Sequence, residues 1–151
     1  MKRRWVVFAA VTVLTVSAFA ADLPDTVFPA VAPGMTVDAV RVLIPDLKEH
    51  GGAPEGAAGF DAPDTAVAKG IKLLFVGGQV ALLTYQFDAA GATKVFAAAK
   101  AAYGDPKEGD GKTAGLYAVG ESSLQIAADE EDDGAGSVTF VNPKAMKSLS
   151  Q

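Results

Sequence analysis

Cysteine is absent from this chain of 151 residues. Without a thiol, the protein can form no disulfide, use no cysteine nucleophile and hold no zinc or iron–sulfur centre through cysteine. It also lacks the cysteine that carries the lipid anchor of many exported bacterial proteins. Its stability must therefore come from packing alone.

Histidine is almost absent as well, because His50 is the only one. A single imidazole cannot form a multi-histidine metal site within one chain, and no strand-turn-helix nucleophile elbow lies near it. Its position after an amphipathic stretch predicts the C-terminal end of a helix, where a protonated imidazole is favourable. We therefore expect no catalytic residue, no metal ligand and no cofactor.

Nucleotide-binding glycine motifs are also missing. The glycines at 51–52, 77–78 and 109–111 fit neither a phosphate-cradling loop nor a strand-associated dinucleotide fingerprint. They are typical of turns and loops. Cofactor binding is therefore not predicted at any residue.

The N-terminus has the features of a secretory signal peptide. Three positive charges at residues 2–4 precede an apolar run from Trp5 to Val16, and the small residues Ala18 and Ala20 follow. The run is shorter than the roughly 20 residues that a membrane-spanning helix needs. We expect cleavage after Ala20, a periplasmic or secreted product and no stable membrane anchor after cleavage.

The chain after this segment is acidic. Ten Lys and Arg remain against 18 Asp and Glu, which gives a formal charge of −8. Such a charge repels nucleic acid and anionic membrane surfaces, so nucleic acid is not an expected partner. Half of the residues are apolar, which is enough for one core in one domain.

Hydrophobic periodicity begins at Thr36, after a proline-rich lead-in whose Val27, Phe28 and Val31 can contact the core. Thr36 is suited to cap a helix that continues to Ile44, where Pro45 ends it. The next segment, EHGGAPEGAAGFDAPDT, is rich in Gly, Ala and Pro. This composition predicts a long loop.

Two apolar, β-prone runs separated by Gly77-Gly78 predict a hairpin in GIKLLFVGGQVALLTYQFD. Simple alternation places Phe75 with Val80 and Leu73 with Leu82. The opposite side then carries the residues that we predict as a candidate partner surface: Leu74, Leu83, Tyr85 and Phe87. Sequence leaves open which side a partner contacts, and core packing is the alternative use of the aromatic residues.

A second helix is predicted in GATKVFAAAKAAYGDP, terminated by Gly104, and three short runs after it predict two or three strands. The expected fold is α+β, with two helices on one face of an antiparallel sheet of about five strands, as in a repeated α-β-β unit. The predicted organisation is a signal peptide at 1–20, a lead-in at 21–35, one domain at 36–143 and a tail at 144–151.

Short patterns in the chain resemble two groups of exported bacterial proteins. Pro33-Gly34-Met35-Thr36 before a helix, and a hairpin with Phe75, Gly78 and Val80, look like the SmpA/OmlA outer-membrane assembly group. The architecture is also similar to that of the β-lactamase inhibitory proteins. The resemblance implies a protein-binding role without catalysis, although the assembly lipoproteins carry a lipidated cysteine that is absent here.

The stretch DEEDDG at 129–134 is the densest group of carboxylates. Asp129, Glu131, Asp133 and Gly134 match the first half of a calcium loop, but its twelfth position falls on Phe140, which has no ligand oxygen. Strands, not helices, are predicted on both sides. We interpret the stretch as a solvated turn, with weak calcium binding as the alternative.

These features together favour an exported, non-enzymatic module that binds another protein, as an envelope accessory factor or an inhibitor. The alternative is a small-molecule or ion-binding periplasmic protein that uses a cavity between helices and sheet. A hydrolase is the third hypothesis. An uncovered apolar sheet face favours the first, and a polar-lined pocket favours the second.

Overall fold

The computed structural model of the chain describes residues 23–150. The predicted signal peptide at 1–20 lies outside the described residues. Within 23–150, seven strands form one antiparallel sheet: β1 Lys48–His50, β2 Ala57–Ala62, β3 Lys69–Val76, β4 Gln79–Phe87, β5 Ala114–Val119, β6 Ser122–Ala128 and β7 Gly136–Val141.

The strands lie in the order β1-β2-β3-β4-β7-β6-β5. The chain thus forms a meander of four strands, crosses the sheet through a helix, and returns as a second meander whose last strand pairs with β4. The predicted sheet of about five strands with two helices is therefore wrong, and so is the repeated α-β-β unit. The described residues contain seven strands and three α-helices, and the first meander has four strands against three in the second.

The missed strands are β1 and β2, which the sequence analysis assigned to a helix end and a loop. Ala57–Ala62 contains alanine and glycine, which have little intrinsic preference for strands. It forms a strand because its backbone pairs with the apolar β3, from Ala57 with Val76 to Ala62 with Ile71. His50 ends β1 and pairs with Gly59, so its predicted position at a helix end is also wrong.

Local capping explains where the helices begin and end. Thr36 caps α1 (Val37–Leu43) by accepting a hydrogen bond from the Ala39 amide at 3.2 Å. Asp88 does the same for α2 (Ala89–Tyr103), and Gly104, at φ 80°, ends it. Asn142 caps the short α3 (Pro143–Lys147), which begins at the last residue of the predicted domain and continues into the predicted tail at 144–151.

One face of the sheet carries the hydrophobic core, and α2 packs on it through Val95, Phe96 and Ala99. The lead-in completes the cover, because Val27, Phe28 and Val31 are fully buried, as the sequence predicted. The Phe28 ring contacts Phe140 edge-on at 6.4 Å between centroids. The Tyr85 hydroxyl on β4 donates to the Thr26 carbonyl at 2.6 Å and fixes the lead-in on the sheet.

The β3–β4 hairpin turns at Gly77 and Gly78, both of which have positive φ. A bulge follows at once: Phe75 pairs with Val80, but Leu74 pairs with Leu82, so Ala81 is an extra residue in β4. Leu73 consequently pairs with Leu83, and its predicted alignment with Leu82 is wrong.

The bulge lies where β4 also contacts the lead-in. The Gly34 amide donates to the Val80 carbonyl, and the Val80 amide donates to the Met35 carbonyl. On the other side of β4, the Asn142 amide donates to the Ala81 carbonyl. These three bonds hold the irregular backbone in place.

The two edge strands offer little free backbone. Leu116 on β5 exchanges hydrogen bonds with Lys107 and Glu108, and the Ala114 carbonyl accepts from Gly111. At the other edge, β1 is three residues long and all three are charged or polar and exposed. Both arrangements are typical ways of protecting a sheet edge.

Candidate functional site

The four residues of the predicted partner surface do not share a face. Leu83, Tyr85 and Phe87 are 0%, 2% and 3% exposed and belong to the core. Only Leu74 lies on the opposite side, where it pairs with Leu82. The bulge at Ala81 is the physical reason, since one inserted residue exchanges the faces of every later residue in the strand.

The side of the sheet away from the core is called the open face here. With the exception of Gly59, none of the strand residues that point to it is buried. Six strand spacings of about 4.8 Å give it a width of about 29 Å. It is therefore a broad surface.

An apolar strip crosses the middle of the open face. Leu74 on β3, Leu82 on β4 and Val141 on β7 pair in one row across three strands, and all three are half-buried. Ser123 continues the row on β6. The strip leaves apolar area in contact with solvent beside polar neighbours.

A second row on the open face, beside the apolar strip, carries side chains that are able to donate or accept hydrogen bonds. Lys72, Thr84, Thr139 and Gln125 pair in succession across β3, β4, β7 and β6. Within the described residues, the side chains of Thr84, Thr139 and Gln125 form no hydrogen bond. Their hydrogen-bonding capacity is thus not used within the described part of the protein.

One end of this row forms a cluster of charged side chains. Asp61 Oδ1 lies 3.3 Å from His50 Nδ1 and 3.5 Å from Lys72 Nζ. This oxygen is shielded from solvent and has no hydrogen bond of normal geometry within the described residues, so the nearby Lys72 ammonium compensates it electrostatically. Lys48 pairs with Asp61 on the other side.

Gly59 makes this arrangement possible. A methyl group at Gly59 would approach His50 Nε2 to 2.5 Å, so the imidazole lies directly on the glycine backbone. Since the two residues pair across β1 and β2, the ring covers the sheet surface next to Leu74. Two shallow depressions, of about 190 and 360 Å³, adjoin the cluster and share Lys72 and Thr84.

The acidic stretch at 129–134 forms the turn between β6 and β7. Asp129 accepts a hydrogen bond from the Glu131 amide, Glu130–Asp132 form one 3₁₀ turn, and Asp133 and Gly134 adopt positive φ. The Asp129 amide donates to the Ala135 carbonyl and closes the loop. Within residues 23–150, no three acidic or imidazole side chains converge so that they could hold a metal ion.

A second polar feature is the loop after α2. The Asp110 carboxylate accepts hydrogen bonds from the amides of Thr113, Lys112 and Ala114 and from the Thr113 hydroxyl, which together hold the pKa of Asp110 well below its usual range. The loop lies against α2 and encloses a depression of about 500 Å³. Phe96, Lys100 and Lys112 are among its lining residues.

The core tyrosines have perturbed ionisation. Burial raises the pKa of Tyr85 far above its ordinary value, and burial also raises the pKa of Tyr103 and of Tyr117. Each hydroxyl therefore stays neutral at physiological pH. All three rings pack on the covered face, and the Tyr85 hydroxyl also donates a hydrogen bond to the Thr26 carbonyl.

No protein-family model, curated protein or solved structure matches this chain. These comparisons give no support to the resemblance with the SmpA/OmlA group or the β-lactamase inhibitory proteins, which rests on short patterns. Among the described residues, no helix is both long and apolar enough to span a membrane.

Thr84 and Thr139 were not predicted as members of an exposed surface, and Leu82 was predicted only on the alternative side of the hairpin, together with Leu73 and Phe75. A usable signal was present in β7, where Ser137, Thr139 and Val141 alternate with the core residues Val138 and Phe140. The same alternation in β4 was misread because the bulge is not visible in the sequence.

Proposed function

We propose that this chain is an exported, non-enzymatic module that binds another protein through the open face. The observation that carries the proposal is the combination of the apolar strip, Leu74, Leu82 and Val141, with unengaged hydrogen-bonding groups beside it. Specific protein interfaces combine apolar and polar area in this way, and they bury about 800 Å² on each partner.

The shape of the surface supports a macromolecular partner. The depressions lined by open-face strand residues, of about 190, 240, 360 and 540 Å³, are open to solvent, whereas pockets for small molecules usually enclose most of the ligand. A face about 29 Å wide suits a folded partner better.

Site-specific photocrosslinking in cells of the native source tests the proposal. A photoreactive residue replaces Gln86 or Gln125, which are exposed on the open face, and in matched controls it replaces Lys94 or Ala97, which are exposed on α2. We expect one discrete, protease-sensitive adduct from the open-face positions only. Adducts that form only from α2, or equally from both sides, would contradict the proposal.

A specific observation also favours the small-molecule alternative at a different place. The depression of about 500 Å³ beside α2 has an apolar floor with Phe96, and Lys100 and Lys112 line it together with small residues. An anionic amphiphile fits this combination of charge and apolar area. Laurate should then protect the chain against thermal unfolding more than dodecanol does, and Lys112→Gln should remove the difference.

The absence of catalysis is part of the proposal. His50 contacts Asp61, but within residues 23–150 no hydroxyl group of a serine or threonine forms a hydrogen bond with its imidazole. The hydrolase hypothesis predicts turnover that His50→Ala abolishes. We expect no hydrolysis of ester, peptide or glycoside substrates that depends on His50.

A further inference from the structure

We infer that the partner presents an acidic polypeptide segment to one corner of the open face, an inference that rests on the proposed function. This basic corner consists of Lys48, Lys69 and Lys72 together with the imidazole of His50, on β1 and β3, the two strands that flank β2 with Asp61. Lys69 pairs with Gln86, which lies on the open face, so Lys69 is on the same face as the rest of the corner.

The first argument is the separation of charge. Residues 23–150 contain ten Lys and Arg against seventeen Asp and Glu, a formal charge of −7. The corner of the open face around Asp61 has the opposite sign, because Asp61 is the only acidic residue among the described strand residues that point to this face, against three lysines, while Glu108, Asp129 and Glu130 border its far end. A negatively charged segment of the partner would be attracted to this corner and repelled by the rest of the protein surface, which is negative.

The second argument is the geometry around Asp61. Its Oδ1 is shielded between His50 and Lys72, so the carboxylate holds the two groups in place while the corner stays net positive. The Lys72 side chain is 66% exposed and therefore accessible to a second carboxylate. Lys48 is exposed as well.

The surroundings favour a polypeptide. Thr84 and Gln86, next to the corner, can donate hydrogen bonds to carboxylates or backbone carbonyls, and the apolar strip begins at Leu74, one row away. A nucleic acid would bring a continuous line of phosphates close to a chain of charge −7, which is unfavourable beyond the few lysines of the corner. A protein can place its negative charge locally.

The test uses the photocrosslinkable Gln125 variant in the full chain. Lys48→Gln and Lys72→Gln each remove one charge from the corner, and Lys94→Gln removes one from α2 as the matched control. We expect each corner variant to lower the adduct yield by about 1.5-fold to fivefold, the range of an exposed ion pair, and Lys94→Gln to leave it unchanged. Lys72→Arg should restore the yield, and the crosslinked peptide of the partner should be rich in Asp and Glu.

The outcomes separate the two proposals. An open-face adduct that is unaffected by both corner variants overturns the inference and leaves the proposed function intact. If no open-face position gives an adduct, the inference and the proposed function are both overturned. An adduct that nuclease treatment removes also overturns both. A thermal unfolding measurement on each variant identifies any variant whose adduct yield falls because the protein unfolds. If Lys72→Gln lowers the adduct yield and Lys72→Arg does not restore it, the inference is also overturned.

Discussion

Adjacent residues of β4 show how differently the two faces of this sheet are built. Leu83 is fully buried in the core, whereas Leu82 is half-buried on a surface that it shares with Thr84 and Lys72. The covered face contains nearly all large apolar side chains, and the open face contains most of the free polar ones. The same backbone thus carries the core on one side and, under the proposed function, the recognition surface on the other.

The bulge at Ala81 decides which residues belong to which face. Without it, Leu83, Tyr85 and Phe87 would point outward and Leu82 and Thr84 inward. Hydrogen bonds to Gly34, Met35 and Asn142 stabilise the bulge. The lead-in therefore determines the composition of the open face although it lies on the other side.

The largest expected difference is between Leu83→Ala and Leu82→Ala. The first removes a fully buried side chain and should lower the free energy of unfolding by about 2–5 kcal/mol. The second removes a half-buried one and should cost about 1 kcal/mol. Urea denaturation measures both, and equal losses would contradict the assignment of faces.

Two glycines provide a second matched pair. A methyl group at Gly115 would meet the ring of Tyr117, which is 1% exposed and cannot move, so Gly115→Ala should destabilise by about 1–3 kcal/mol. At Gly59 the obstacle is the exposed imidazole of His50, which can swing away. Gly59→Ala should therefore cost at most about 0.5 kcal/mol. NMR should show that the imidazole has moved from Asp61.

Tyr85→Phe and Thr84→Val compare one hydroxyl from each face. Loss of the bond from Tyr85 to the Thr26 carbonyl should cost about 1 kcal/mol, while Thr84→Val should be nearly neutral. Because burial raises the pKa of Tyr85, its contribution is complete below the ordinary tyrosine pKa of about 10 and is lost as pH rises above it. Tyr85→Phe should flatten this alkaline loss of stability, and an unchanged profile would argue against it.

The smallest effect is expected at Asp110, outside both faces. Its folded-state pKa is lowered by four hydrogen bonds, so its contribution is present above the unfolded value of about 3.9 and is lost as pH falls toward the folded value. Asp110→Ala should therefore reduce the drop in melting temperature between pH 6 and pH 3. The control is Asp129→Ala, because the Asp129 carboxylate accepts one amide hydrogen bond.

Local signals in the sequence predicted part of this architecture. The Gly77-Gly78 turn, the Thr36 cap and the terminating Gly104 are confirmed because each depends on a few neighbouring residues. The strands β1 and β2 could not be predicted in the same way, since they form only by pairing with β3. The same holds for the basic corner, where β-sheet pairing brings together residues up to 24 positions apart, from Lys48 to Lys72.

The protected edges determine how this protein can assemble. A seven-stranded antiparallel sheet with free edges would be a template for further strands and for fibril growth. Here Lys107 and Glu108 occupy the outer backbone of Leu116, and the opposite border is a three-residue charged strand. The sheet therefore cannot readily extend sideways, and the protein can expose a wide β-surface at high concentration without polymerising through its edges.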